Sequence, residues 1–321
     1  MTTAESRHRS RVILAFALVY FFWGSTYLGI GIAVEHLGAA LMAGTRFTIA
    51  GVLMLAWCAA SGRRISISLR DAVRLAIAGI LLLSVGNCLL AWAEETLPTG
   101  LSALIVSVTP LWFLVIETWI LRGDHLSTRG MIGLPLGLAG IVVLVWPKLM
   151  ATSALGRREL LACLSLPVAS LAWAVGSVIS KRTPAAADPF VGSGWQMAIA
   201  GIVNLGVAGG LGEYRQALWT GRGIAAIAYL IIFGSWVGYS AYIWLLHNVP
   251  TPKVATYAYV NPVVAVFLGW LILHEKVDAY IAAGTVIVVA GVALVTSAKV
   301  KTKSGALVPE PELPAVESTG D

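Results

Sequence analysis

An all-α integral membrane fold, with ten transmembrane helices arranged as two inverted five-helix repeats, is predicted by three observations. The 321-residue chain is 58% hydrophobic and only 12% charged, about half the ~25% charge usual in soluble domains. Charges and helix breakers divide it into ten apolar segments, each near the roughly 20 residues that span a bilayer as helix. The first half is then read again in the second. Gly44, Ile49, Ala50 and Gly51 recur 150 positions later as Gly194, Ile199, Ala200 and Gly201. Val85, Gly86 and Trp92 recur at an offset of 152 as Val237, Gly238 and Trp244, and Pro98, Thr99, Ala103, Val108 and Pro110 as Pro250, Thr251, Ala255, Val260 and Pro262. Five spans per copy is an odd number, so the second copy must insert upside down relative to the first, which is the inverted repeat of a secondary transporter.

Residues 1–11 form a cytoplasmic N-terminal arm carrying Arg7, Arg9 and Arg11. The apolar run from Val12 to Val34 is longer than a signal-peptide core and lacks a small-x-small cleavage site, so it reads as a retained first span. The first repeat, 12–147, holds spans at 12–33, 38–60, 73–93, 98–121 and 129–147. An external loop, 148–159, leads to the second repeat, 160–298, with spans at 160–180, 190–211, 223–246, 252–273 and 278–298. The tail 299–321 is basic and then rich in Pro and Glu; it cannot bury a core and reads as cytoplasmic and disordered. Nothing alternates as barrel strands do, and hydrocarbon offers backbone groups no partner, so the spans are helices.

With the N-terminus in the cytoplasm, fifteen of the 22 Lys and Arg residues fall in cytoplasmic segments and six in external ones, which places both termini inside. Lys148, Arg157 and Arg158 in the 148–159 loop run against that rule. The net charge of +6 is therefore membrane topology and not a nucleic-acid surface. Cys58, Cys88 and Cys163 lie inside apolar spans without paired or metal-ligand spacing, so they read as small core residues, with no metal or cofactor expected.

The candidate substrate-binding residues lie near mid-membrane and mostly come in repeat-equivalent pairs. Trp23 and Trp173 sit about a dozen residues into their spans, roughly 18 Å deep at 1.5 Å per residue, away from the interfacial belt that usually explains membrane Trp. They suit two aromatic walls of a central cavity with indole N–H groups turned to substrate, or two packed core rings. Thr109-Pro110 and Asn261-Pro262 are also equivalent. Each proline frees the carbonyl four residues earlier, Val106 or Ala258, which suits a pair of gating helices with Pro110 and Pro262 at the kinks. Asn261 adds an amide with donors and acceptors. Asn87 and its equivalent Tyr239, with Tyr257, Ser107 and Ser177, supply further polar groups that orient a ligand or bond helix to helix; for the two serines the second role is favoured.

Two charges lie within spans. Arg46 is roughly 12 Å below the outer surface by helix rise, where an unshielded charge costs about 2.5–3.5 kcal/mol on insertion scales. It fits a carboxylate-binding or gating arginine, or an ion pair snorkelling to Glu94 or Glu95; the equivalent position is Gln196, so no matched pair exists and the ion pair is favoured. Glu117, near the cytoplasmic end of span four, is expected to pair with Arg122. Gly133, Gly137 and Gly140, echoed by Gly284 and Gly291, give spans five and ten small-residue faces for close packing within the bundle or against another protomer. Monomer and homodimer both stay open.

With these motifs in place, the chain resembles the EamA family of the drug/metabolite transporter superfamily. The resemblance rests on Phe22-Trp23-Gly24-Ser25, Arg46-Phe47, Leu97-Pro98-Thr99-Gly100 with Thr109-Pro110-Leu111, the echo Val249-Pro250 and Asn261-Pro262, and Leu273-His274-Glu275-Lys276. It covers roughly residues 12–298, and it departs in the longer first-half turn at Arg122-Gly123-Asp124-His125. Within the family the chain is similar to permeases and aromatic amino-acid exporters. The resemblance implies a multi-pass exporter of small metabolites in the inner membrane. An intramembrane enzyme is disfavoured, since the chain has no His-Glu-x-x-His, Gly-x-Ser-x-Gly or phosphate-binding Gly-Lys loop. The expectation is a secondary transporter that exports amino acids or related compounds across the lipid bilayer by alternating access of its two inverted halves, with a passive facilitator as the alternative.

Overall fold

The computed structural model describes residues 3–97, 99–121, 125–151, 156–182, 188–273, 279–298 and 300–301. Helix α1 runs Thr3–Val34, so the basic segment expected as a separate arm is its first turns. After a short turn, α2 covers Ala39–Ala60. Its N-terminal N–H groups are met by two carboxylates, Glu95 accepting from Ala39 at 3.0 Å and Glu213 from Leu41 at 2.7 Å. Negative charge belongs at that end of a helix. Gly62, at φ 74°, turns the chain out of α2.

Ser68 caps α3, Leu69–Gly79. The helix then widens to a π segment, Ile80–Gly86, and continues as α4, Asn87–Glu94. The next segment is broken. Helix α5 is Thr99–Val106, and α6, Thr109–Val115, follows a two-residue turn and enters a π segment at Ile116–Ile120. Helix α7 is Thr128–Ala151.

The second half repeats this order with α8, Arg157–Arg182, and α9, Pro189–Leu211, which Asp188 caps and the left-handed Gly212 ends. Thr220 caps α10, Gly221–Tyr229, which widens to a π segment at Leu230–Tyr239 and resumes as α11, Ser240–Asn248. A short α12, Thr251–Val254, precedes α13, Tyr257–Leu273, and α14 is Ala279–Thr296. Outside the helices, His125–Leu126 pairs antiparallel with Val300–Lys301, so the expected tail begins as a strand; 302–321 lie outside the described residues.

Six of these helical stretches are long and apolar enough to cross a membrane: Arg7–Val34, Ala39–Ala60, Leu69–Glu94, Arg157–Arg182, Pro189–Leu211 and Gly221–Asn248. Large apolar side chains such as Val52, Leu53, Leu164, Val168, Ile202, Phe267 and Val286 point outward. In water such a belt would be a liability. In lipid it is the solvated surface.

Packing joins helices that hold the same place in the two halves. Helices α2 and α9 touch backbone to backbone: a Cβ on Gly51 would strike the backbone of Ala198, one on Gly201 the backbone of Thr48, and one on Gly44 would lie 2.8 Å from the Leu205 nitrogen. Helices α7 and α14 do the same through Gly133, Gly140 and Gly291. The glycine faces expected on spans five and ten are therefore turned to each other. The two proline sites differ. Pro110 opens α6 after the break, where a helix needs no proline N–H, whereas Pro262 lies inside α13. The break in the second half comes at residues 255–256, earlier than the equivalent of 107–108.

Candidate functional site

A cavity with about 630 Å³ of empty space, part of it open to solvent, lies where the two halves meet. From the first half it takes Trp23, Thr26 and Tyr27 on α1, Arg46 and Phe47 on α2, Leu83 and Gly86 in the π segment, and Asn87 and Leu90 on α4, with Val106 and Thr109 at the break. From the second it takes Ala169, Ser170, Trp173, Gly234, Tyr239, Tyr257 and Asn261. Six of the eight expected substrate-binding residues (Trp23, Asn87, Trp173, Tyr239, Tyr257 and Asn261) are thus in one wall. Ser107 and Ser177 are buried but outside it. Ser177 supports the wall from behind, bonded to the Trp173 carbonyl at 2.7 Å and the Tyr242 hydroxyl at 2.6 Å.

One end of the cavity is a cluster of rings. Trp23 meets Trp173 edge-on with centroids 5.3 Å apart, Tyr257 at 4.9 Å and Tyr242 at 4.8 Å. The expectation that both indole N–H groups face substrate is corrected: Trp23 donates to the Gly234 carbonyl at 3.1 Å and Trp173 to the Tyr242 hydroxyl at 3.0 Å. A buried N–H finds a protein partner, and what remains for a ligand is the ring faces. The second-half π segment makes room for this. A Cβ on Gly238 would lie 2.5 Å from the Trp23 indole nitrogen, and one on Gly234 would lie 2.6 Å from an Arg46 guanidinium nitrogen. Glycines four apart therefore form a slot for one ring and one cation. Extra-wide helical turns of this kind recur at functional sites.

Arg46 is 3% exposed. The expected ion pair with Glu94 or Glu95 is corrected: Arg46 donates from Nε to the Ser235 hydroxyl at 3.0 Å, its Nη1 has no partner, and Glu95 bonds Arg158 instead. That pairing explains why a basic residue is tolerated in the 148–159 loop. Asn87 and Asn261 each leave a buried side-chain oxygen unpartnered. The cavity wall therefore presents one unsatisfied cationic donor and two unsatisfied amide acceptors, in a lining where buried polar atoms are otherwise paired. The carbonyl of Val106, expected to face the pathway, instead accepts the Thr109 hydroxyl at 2.5 Å.

Glu117 has partners from the second half. Its carboxylate takes Arg182 at 2.8 Å and the Thr251 hydroxyl at 3.2 Å, while Lys181 donates to Thr251 at 2.9 Å and to the Val249 carbonyl at 3.2 Å. Arg122 lies outside the described residues. This latch ties the first half to the second beyond the aromatic cluster. Tyr20, bonded to Thr256 at 2.6 Å, fills the space between. Among the described residues no three His, Cys, Asp or Glu side chains gather as a metal site.

Cavity-lining residues not expected to bind substrate include Thr26, Tyr27, Phe47, Thr109, Ser170 and Gly234. Thr26 and Tyr27 follow Trp23 by three and four positions, the spacing that shares a helix face; Gly234 and Gly238 show the same spacing.

The family model described as the EamA-like transporter family matches this chain twice, at residues 10–146 and 160–297. The chain belongs to the EamA-like transporter family. Among its relatives, the uncharacterized inner membrane transporter YedA of Escherichia coli K12 is 37% identical over 257 residues, covering 79% of this chain and 80% of YedA. The uncharacterized transporter YvbV of Bacillus subtilis is 25% identical, covering 93% and 96%. A protein crystal structure 20% identical in sequence shares the fold, with a TM-score of 0.71 over 89% of this chain. This EamA-like protein is accordingly a multi-pass membrane transporter.

Proposed function

We propose that this EamA-like protein is a secondary transporter that moves small zwitterionic metabolites, amino acids with aromatic or large apolar side chains first, out of the cell across the inner membrane. The observation that carries the reading is the set of unpartnered atoms in the cavity. A carboxylate satisfies Arg46 by charge-assisted hydrogen bonds, amino N–H groups satisfy the Asn87 and Asn261 oxygens, and an apolar or aromatic side chain lies against the rings of Trp23, Trp173 and Tyr257. Arg46 thus takes the carboxylate-binding role.

Ten spans in two inverted five-span halves, 12–147 and 160–298, fit the paired packing of α2 on α9 and α7 on α14, a two-fold relation at whose interface inverted-repeat transporters bind substrate. With both termini cytoplasmic, the Glu117–Arg182 latch faces the cytoplasm and the conformation described is closed on that side. Alternating access then requires the latch to part. In a cysteine-free background, Ser170→Cys reports the route to the cavity, and adding Glu117→Gln should speed its labelling by an impermeant thiol reagent from the cytoplasmic side several-fold, since about 1 kcal/mol of charge-assisted bonding is lost. An unchanged rate would remove the latch from the gate.

The deciding experiment is counterflow in proteoliposomes with a panel of labelled amino acids and their decarboxylated amines. Saturable, trans-stimulated uptake of an amino acid but not of its amine is expected. Arg46→Gln should raise its apparent Km by roughly 10- to 100-fold, the equivalent of about 1.5–3 kcal/mol for a charged hydrogen bond. Uptake that neither saturates nor trans-stimulates would mark a passive facilitator, and equal uptake of the amines would reject Arg46 as a carboxylate anchor.

A further inference from the structure

Two buried carboxyl groups lie between helices beside the cavity, and they are handled in opposite ways. Glu117, 5% exposed, has Arg182 and Thr251. Glu94, 7% exposed, has neither oxygen bonded to anything among the described residues. It is not far from the route of transport. Asn87 and Leu90 line the cavity from α4, and Glu94 follows Leu90 by one helical turn, so it continues the same face. Tyr27, itself a wall residue, is hydrogen-bonded to the Asn261 side chain.

Among the described residues no cationic group is bonded to Glu94. Its chain neighbour Glu95 takes Arg158 from α8 and the Ala39 N–H from α2. Arg46 of α2 bonds Ser235 and makes no ion pair with Glu94. From α1 come Tyr27 and, beyond the helix end, His36, whose ring packs against Gly223 and whose Nε2 has no partner among the described residues. Helix α5 contributes Ser102, buried with its hydroxyl unpartnered, and the π segment before α4 contributes Ser84, which donates to the Ala200 carbonyl. A carboxylate stripped of water and without a counter-ion is strongly disfavoured, and the group resolves this by holding a proton.

We propose that Glu94 is the proton-binding group of this transporter. In the conformation described it is dry and neutral. When the helices around the cavity move apart and water reaches it, its O–H bond breaks, the proton passes to that water and the carboxylate remains, solvated. Returning to the closed arrangement re-forms the O–H bond with a proton from water. A group that is protonated in one state and ionised in the other links the conformational cycle to a proton gradient. The inference rests on the transporter reading above, but its test does not use a substrate.

That test is infrared spectroscopy of the full chain in lipid nanodiscs, wild type against Glu94→Gln, titrated from mildly acidic to mildly alkaline pH. The expected result is one carboxylic-acid carbonyl band in the wild type that is lost in Glu94→Gln, kept at a shifted frequency in Glu94→Asp, and replaced by a carboxylate band as pH rises. The aspartate variant keeps the test informative if the glutamine variant fails to fold. An acid-carbonyl region that is the same in wild type and Glu94→Gln, with a carboxylate band lost in the variant, would show an ionised Glu94 and overturn the proposal. So would a wild-type acid band that persists at every pH the folded protein survives, since a permanently neutral acid carries no proton across. A titrating band in a protein inert in counterflow would fault the transport reading instead.

Discussion

Trp23→Ala should abolish transport, and Trp23→Phe should restore much of it. Trp23 is 8% exposed and touches Trp173, Tyr242 and Tyr257, so it is both cavity wall and core. Truncation to alanine empties the middle of that cluster and costs about 3–5 kcal/mol. The three remaining rings are then joined through Tyr242, 5.6 Å from both Trp173 and Tyr257, with a void where the indole stood. Phenylalanine keeps a ring in place and gives up the bond from Nε1 to the Gly234 carbonyl, about 1 kcal/mol. Transport per folded molecule in proteoliposomes, with the folded fraction taken from detergent size exclusion, separates the two effects. If the alanine variant transports normally once corrected for folded protein, Trp23 is no part of the pathway. Trp173→Ala should behave the same way, with an added loss because the Tyr242 hydroxyl loses the indole N–H that donates to it.

How much of this was legible in the sequence depends on the kind of interaction. Membrane character and helical segments follow from composition and length, and the repeat follows from matched residues, because these are properties of one strand of chain. The pairing of charges is not such a property. Glu117 takes Arg182 from another helix, a partner sequence distance does not suggest; Arg46 has Glu94 and Glu95 within snorkelling reach by rise alone, yet it bonds Ser235 across a slot that Gly234 leaves open. Sequence distance favours the local partner, and packing chooses the other. The π segments at Ile80–Gly86 and Leu230–Tyr239 were equally invisible, since no residue type signals an extra-wide turn. Nor could the indole N–H groups be assigned, because their acceptors are a backbone carbonyl and a hydroxyl contributed by distant helices. The glycine faces could be read as close-packing faces, but not which helix each would meet.

Gly291→Val should strongly destabilise the fold, while Gly206→Ala should be neutral to slightly stabilising, and the contrast tests whether the α7–α14 contact holds the two halves together. A Cβ at position 291 would lie 2.6 Å from the Gly137 nitrogen, 2.7 Å from its Cα and 2.9 Å from the Gly133 carbonyl oxygen. All three are backbone atoms on the facing helix, so no rotamer change relieves the clash and the helices must separate. Overpacking a well-filled core typically costs about 1–3 kcal/mol. Here the branched side chain also parts a contact whose whole attraction in lipid is van der Waals packing at close range, so the loss should reach the upper end of that range or pass it. At Gly206 an added Cβ meets nothing within 4 Å, and alanine favours helix over glycine by about 1 kcal/mol. Thermal unfolding in detergent reads both. Because α7 and α14 are the last helices of their respective halves, a destabilised Gly291→Val that still reaches the membrane should run as loosened protein with both halves inserted. A Gly291→Val protein as stable as wild type would mean that α7 and α14 can shift apart without cost, and the glycines would then need another explanation.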